Sequence, residues 1–352
     1  MRNTIQQLMQ VAIDKNASDL HIVAPYFATL RIKNKLLFLR NFGIIQPETS
    51  EEMLLSLLSP EQKTYFLENK EIDIGYDFAG TRFRINIYIN RKSIGAAFRL
   101  IPNRIKNFAE LNLPKIFQTF SNYNQGLILF TGPTGEGKSS SLAAIINDIN
   151  LRHSKHIITI EDPVEYVYPI EKSIISQREI HQDTLSFNSA LKSVLREDPD
   201  IVLVGEMRDY ETVQSTLQIA ETGHLVFSTL HTGSTKDSID RIIDMFPSHQ
   251  QNQTRSTLSQ ELIAIIAQRL LPSSTNDDLV PAVEILMNTS SIASVIRDGK
   301  TFMIDTILET GEEKGMVLFE RYLYKLYQNG LISRETAHSH AIRPNIISKL
   351  IK

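Results

Sequence analysis

The stretch Gly132-Pro133-Thr134-Gly135-Glu136-Gly137-Lys138-Ser139 constrains this chain more than any other feature. It satisfies every fixed position of G-x-x-x-x-G-K-[ST], directly after the apolar run 127–130 and directly before 140–149, which reads as a helix. A strand, a glycine-rich loop and a helix in that order turn consecutive backbone N–H groups toward phosphate oxygens at a helix amino terminus, where the helix dipole also favours an anion. The binding loop then comprises Gly132, Pro133, Thr134, Gly135, Glu136, Gly137, Lys138, Ser139 and Ser140. Within it Lys138 reaches the β- and γ-phosphates of a nucleotide, and the Ser139 hydroxyl ligates Mg2+.

The surrounding sequence supplies the sheet that such a loop needs. Residues 157–160, 201–204 and 225–227 are short, nearly uniform apolar runs like 127–130, the pattern of strands buried on both faces, and helical segments between several of them predict a parallel sheet covered by helices. Two of these runs end in acids. Ile201-Val202-Leu203-Val204-Gly205-Glu206 makes Glu206 the candidate for orienting water around Mg2+, although Gly205 stands where many P-loop proteins carry a metal-binding Asp. Ile160-Glu161-Asp162-Pro163-Val164-Glu165 places Glu165 on a loop after Pro163 stops the strand, as candidate general base for the attacking water. His224 and His231 bracket the run at 225–227 at a spacing unlike the zinc motif H-E-x-x-H; each alone reads as a capping or core residue, and beside a phosphate site one of them is the candidate to sense the γ-phosphate or to link its state to domain movement. From about Ser256 the chain is expected to be mostly helical, with Leu318, Phe319, Tyr322, Leu323, Leu326 and Tyr327 as one buried stripe ending at Asn329-Gly330.

The first hundred residues have a different texture. Ile5, Leu8, Met9, Ala12 and Ile13 share one face of an opening helix. Two short β-type runs follow, separated by a Lys33-Asn34 turn, and then a helical stretch over about 51–69. From Ile72 to Ile101 three runs broken at Ala79-Gly80 and Arg91-Lys92 predict an antiparallel meander. Alternation puts Phe83, Ile85, Ile87 and Ile89 on a buried face and Arg82 and Arg84 together on the other, where Arg99 of the next run adds a third arginine. Polar Pro102 to Asn107 reads as a linker, giving an amino-terminal domain over 1–101, a linker over 102–107 and a second domain over 108–352.

Composition removes competing classes. With 37 Lys and Arg against 40 Asp and Glu, the net charge of −3 offers no basic field, and nucleic acid is not an expected partner. The absence of Cys excludes disulfides, thiolate zinc sites, iron–sulfur clusters and a cysteine nucleophile. Glutamines 6, 7 and 10 interrupt what would be the apolar core of a leader, and no apolar run approaches the roughly 18 residues of a membrane span, so a cytoplasmic address is expected, with any membrane association peripheral.

Residues 131–140, 159–166, 195–209 and 220–232 together resemble, in order, the Walker A, Asp box, Walker B and His box of the secretion ATPase superfamily of type II secretion and type IV pili. Asn16-Ala17-Ser18-Asp19-Leu20-His21, Phe83-Arg84-Ile85-Asn86, Phe98-Arg99-Leu100-Ile101-Pro102 and Ile239-Asp240-Arg241 are similar to segments of its PilT-like branch, the pilus-retraction motors of twitching motility, as are the lack of a long preceding domain and of the tetracysteine zinc site of extension motors. The resemblance implies an α/β fold: a RecA-like P-loop ATPase domain with a helical carboxyl-terminal portion, preceded by a small PAS-like α+β domain. It implies a homohexameric ring that couples ATP hydrolysis to domain movement, acts on an inner-membrane pilus platform protein and sits peripherally at that membrane, with a paralogous pilus ATPase as a further partner. It also implies that Arg84 and Arg99 close over the phosphates, with Arg82 and Arg91 as neighbours that sequence does not separate from them. Two departures stand out. Glu136 occupies a position where the family has a small residue, bringing negative charge near the nucleotide unless it turns outward, and the segment matching A-I-R-N-x-I-R reads Ser291-Ile292-Ala293-Ser294-Val295-Ile296-Arg297, without the first arginine. Beside the retraction motor, an accessory pilus or type IV secretion ATPase and a nucleotide-dependent switch with little turnover therefore remain open.

Overall fold

The computed structural model describes residues 5–32, 35–101, 104–275 and 278–351. The Lys33-Asn34 turn, and Pro102 and Asn103 of the expected linker, lie outside the described residues. The chain forms two compact units: one made of Met1–Arg104 with Asp162–Val167 and Glu179–Asp183, the other of Ile105–Glu161, Tyr168–Arg178 and Thr184–Lys352.

The first unit runs α1 (Ile5–Asp14), β1 (Asp19–Ile22), β2 (Thr29–Ile32), β3 (Lys35–Phe38), α2 (Pro47–Leu55), α3 (Pro60–Asn69), β4 (Glu71–Phe78), β5 (Thr81–Asn90) and β6 (Ser93–Ile101). Its strands form one sheet in the order β3-β2-β1-β6-β5-β4, antiparallel at each pairing. The meander β4–β5–β6 follows the alternation read from sequence. Phe83, Ile85 and Ile87 are fully buried in one core with Ile5, Leu8, Met9 and Ala12 of α1, each such side chain contributing on the order of 1.5–3 kcal/mol. Ile89, at the end of β5, is 41% exposed. The hairpin turns put Ala79-Gly80 and Arg91-Lys92 at positive φ, the conformation that matches strand twist in two-residue turns. The helix expected over 51–69 is two helices: Ser59 caps α3 in a capping box with Gln62, and Pro60 takes the first helical position, where its missing N–H costs nothing.

The second unit holds β7 (Gly126–Thr131), α4 (Lys138–Arg152), β8 (His156–Glu161), β9 (Ile174–Glu179), α5 (Phe187–Val194), β10 (Ile201–Val204), α6 (Tyr210–Glu221), β11 (Leu225–Leu230), α7 (Thr235–Asp244), α8 (Gln251–Glu261), β12 (Leu262–Pro272), β13 (Leu279–Met287), α9 (Ser290–Arg297), α10 (Ile304–Thr310), α11 (Phe319–Gln328), α12 (Arg334–Ser339) and α13 (Pro344–Leu350). Its sheet order is β13-β12-β7-β11-β10-β8-β9. The four runs read as buried strands are the parallel centre β7-β11-β10-β8, and β7, β10 and β11 are buried at every residue. The mostly helical reading from Ser256 is corrected here. β12 lies parallel to β7 and antiparallel to β13, extending the sheet by two strands. The run Leu262 to Leu271 has no alternation because the strand is covered on both faces, and it is long enough to pass for a helix. Beyond it the expected stripe holds in part: Leu318, Phe319, Leu323 and Leu326 are buried while Tyr327, at the end of the helix, is exposed, burial pushes the Tyr322 hydroxyl up to about 12, and Gly330 at positive φ follows the helix.

Candidate functional site

Parallel strands place ligands at their carboxyl ends, and the glycine-rich loop leaves the carboxyl end of β7 there. Gly132 has φ +144°, and a Cβ on it would fall 2.4 Å from the Gln268 carbonyl oxygen of β12, so the loop passes that strand more closely than any other residue type allows. Gly135 and Gly137 also have positive φ, and Gly137 caps α4 in the left-handed conformation. The Lys138 side chain is buried, with Nζ donating to the carbonyls of Gly132 at 2.6 Å and Pro133 at 2.8 Å. Pro133, Thr134, Gly135 and Ser139 are exposed and Ser140 is half-buried. The Glu136 side chain turns onto β12, where its carboxylate accepts the Leu270 N–H.

The neighbouring strand ends are fastened to the base of this loop. Thr131 Oγ1 donates to the Thr232 carbonyl at 3.0 Å and accepts the Thr232 N–H at 3.1 Å, so the segment after β11 is held at the start of the loop. His231 in that segment places Nε2 3.3 Å from Oε2 of Glu206, while Arg208 lies 2.5 Å from Oε1. Both carboxylate oxygens of Glu206 are thus engaged, and its side chain is 12% exposed. The Gly205 N–H donates to Ile160 O at 2.8 Å, and a Cβ there would come within 3.1 Å of the same carbonyl, a close contact for a larger side chain. His224 stands apart. It precedes β11, while the phosphate loop follows the paired strand β7, so a strand length of about 20 Å separates His224 from the loop of its own unit. Its Nδ1 lies 3.0 Å from the Ile219 carbonyl at the end of α6, a helix-capping contact.

Glu165, Arg84 and Arg99 belong to the first unit. Arg84 and Arg99 are directly opposed across β5 and β6, as the alternation requires. Arg84 is 34% exposed and loosely held, 3.4 Å from Glu165 and 3.5 Å from Asp73. Arg99 is 67% exposed and 3.2 Å from Asp19. The neighbours that sequence could not separate from them are separated by their partners. Arg82 is locked, its Nε donating to Val164 O at 3.0 Å and its guanidinium paired with Asp77 and Glu179, and Arg91 sits in the hairpin turn, exposed.

Several residues went unnoticed in the sequence. Glu179, almost fully buried, accepts the N–H groups of Gly75 at 2.9 Å and Val164 at 3.1 Å besides pairing with Arg82. Gln268 escaped because it lay in a run read as helix, its only signal a polar side chain inside an apolar stretch, and Arg208 stood in the 195–209 segment without a role of its own.

A glycine-rich loop at the carboxyl edge of a parallel sheet, with a buried lysine and a partnered acid at the next strand ends, defines a P-loop nucleotide-binding protein. Residues 103–342 match the family model for type II/IV secretion system proteins. The chain is 44% identical over 300 residues to the twitching motility protein of Neisseria gonorrhoeae, covering 84% of this chain and 80% of that one. It is 39% identical to the type IV pilus retraction ATPase PilT of Pseudomonas aeruginosa, over 97% of this chain and 98% of that protein. A crystal structure of the pilus retraction motor PilT with bound ADP superposes with a TM-score of 0.91 at 41% identity, over 99% of both chains. The chain belongs to the type II/IV secretion system protein family. Among the described residues no helix is long and apolar enough to cross a membrane.

Proposed function

We propose that the chain is an ATP-hydrolysing motor that powers type IV pilus retraction. The observation that carries this reading is the likeness over 99% of both chains to a retraction motor that holds ADP, in a chain whose own phosphate loop has Lys138 buried at the start of α4. Lys138 draws the β- and γ-phosphates into the N–H cradle of the loop, and Glu206, steadied by Arg208 and His231, orients water beside the γ-phosphate. Ser139 and Glu206 offer the hard oxygen donors that suit Mg2+, which when bound neutralises phosphate charge. Glu165 accepts the proton of the attacking water as its oxygen bonds to the γ-phosphorus and the bond to the β–γ bridging oxygen breaks, leaving ADP and inorganic phosphate. Arg84 and Arg99 balance the charge on the transferred group. The working form is a homohexamer in the cytoplasm, pressing on a platform protein of the inner membrane, and the amino-terminal domain over 1–101 moves against the motor domain.

Phosphate release with Mg2+ and ATP, recorded with particle mass by light scattering, tests the reading. Wild type is expected to turn over as a hexamer, and Glu206→Ala to lose about 10²-fold or more. Wild-type protein that binds nucleotide but releases no phosphate in any assembly state would replace the motor with a switch. Glu165→Gln is expected to hold ADP within about 2-fold of wild type while turnover falls about 10²- to 10⁴-fold, the range for loss of a general base; parallel loss of binding and turnover would make Glu165 a structural partner of Arg84 instead.

A further inference from the structure

A carboxylate inside a phosphate-binding loop should be harmful: two like charges 4 Å apart near a protein surface repel by about 4 kcal/mol at an effective dielectric of 20. The path of β12 shows why Glu136 is tolerated. The pairing of β12 with β7 ends at Ala267 opposite Thr131, and β12 continues to Pro272 beside the phosphate loop. The Gln268 carbonyl on that overhang faces Gly132. Leu270, two residues on, directs its backbone to the same edge, where β7 no longer supplies an acceptor for its N–H. The Glu136 carboxylate supplies one. The Gln268 side chain, 2% exposed, completes the attachment: its Nε2 donates to the Glu136 carbonyl at 2.7 Å and its Oε1 accepts the Ser141 hydroxyl at 2.8 Å. Glu136 is therefore fixed to β12 through both its main chain and its side chain, and the fixing partner also grips the first turn of α4.

We propose that Glu136 is a positioning residue whose carboxylate clips the phosphate loop to the overhanging end of β12, so that the N–H cradle is set before nucleotide arrives. This rests on the nucleotide site proposed above. The clip turns the negative charge away from the phosphates and into a charge-assisted hydrogen bond, the stronger kind.

The test is titration of the full-length chain with a fluorescent ADP analogue, alongside steady-state ATP hydrolysis and thermal unfolding without nucleotide. For Glu136→Ser, which is too short to reach Leu270, the dissociation constant and the KM for ATP are expected to rise about 3- to 10-fold, the scale of one hydrogen bond's worth of preorganisation, with the unfolding midpoint little changed. Glu136→Gln retains an acceptor oxygen without the charge and is expected to recover most of the loss. Glu136→Ser binding as tightly as wild type or more tightly would overturn the inference, since repulsion would then dominate, and so would Glu136→Gln behaving like Glu136→Ser. A lowered unfolding midpoint with unchanged affinity of the folded protein would overturn it too, by making the clip merely structural. Wild type that binds no nucleotide would instead sink the proposed function, and this inference with it.

Discussion

Lys138→Ala is expected to cut ATP turnover by about 10²- to 10³-fold, the cost of removing one preorganised donor from developing charge, and to weaken nucleotide binding in parallel. The physical reason is the burial of the ammonium, which is 7% exposed and lies within 2.8 Å of two loop carbonyls. A charge held there acts on phosphate through a medium of low polarity, where it is worth far more than on the surface. Lys138→Arg separates charge from shape: the bulkier guanidinium is expected to restore little of the activity, because the ammonium is enclosed by main chain at Gly132 and Pro133. Phosphate release at saturating ATP, with circular dichroism to verify folding, decides the matter. Turnover unchanged in Lys138→Ala would remove the loop from the mechanism altogether.

Arg343→Ala is expected to destabilise the second unit by about 3–5 kcal/mol, the range for stripping one partner from a buried ion pair. The side chain of Arg343, 15% exposed, lies 2.8 Å from Glu284 and 3.1 Å from Glu320, both 0% exposed, and also pairs with Asp305. Burial alone would favour loss of its proton; Glu284, Asp305 and Glu320 outweigh that and hold it charged, with its pKa above the ordinary arginine value. Removing it leaves two enclosed carboxylates without their cation. Glu284 also accepts the N–H of Thr235 at 3.1 Å and its hydroxyl at 2.7 Å, at the first turn of α7, so the damage reaches the segment that follows His231. Urea unfolding of Arg343→Ala and of the triple variant Arg343→Met, Glu284→Gln, Glu320→Gln measures the effect. The triple variant should lose less than the single one, because it buries no unpaired charge, and equal losses would assign the cost to packing instead.

The difference between what sequence reveals here and what it hides follows from range. The phosphate loop could be read because its geometry is built from neighbours along the chain, and β7, β10 and β11 because burial on both faces leaves short apolar runs. β12 satisfies the same physics, yet Leu262-Ile263-Ala264-Ile265-Ile266-Ala267 followed by Gln268-Arg269-Leu270-Leu271 suits a helix in length and propensity, and only its place between β7 and β13 decides the matter. With β12 misread, Gln268 could not be noticed. Arg82 and Arg84 alternate identically in β5; what distinguishes them is Glu179, nearly a hundred residues away in sequence. The two histidines are another case, since the rule that ligands gather at the carboxyl ends of parallel strands already favours His231 over His224 once β11 is recognised.

The membership of the first unit bears on how the chain can be divided. A fragment ending at Ile101 would carry the whole six-stranded sheet, yet it would deprive Arg82 of Val164 and Glu179 and the Gly75 amide of its acceptor. Those partners come from Asp162–Val167 and Glu179–Asp183, segments that fall between stretches of the second unit in sequence. No single cut yields both units intact. A chimaera that exchanges the amino-terminal sheet for a relative's would have to bring these two segments with it, so the inheritable module is a patchwork of three stretches and not a contiguous block.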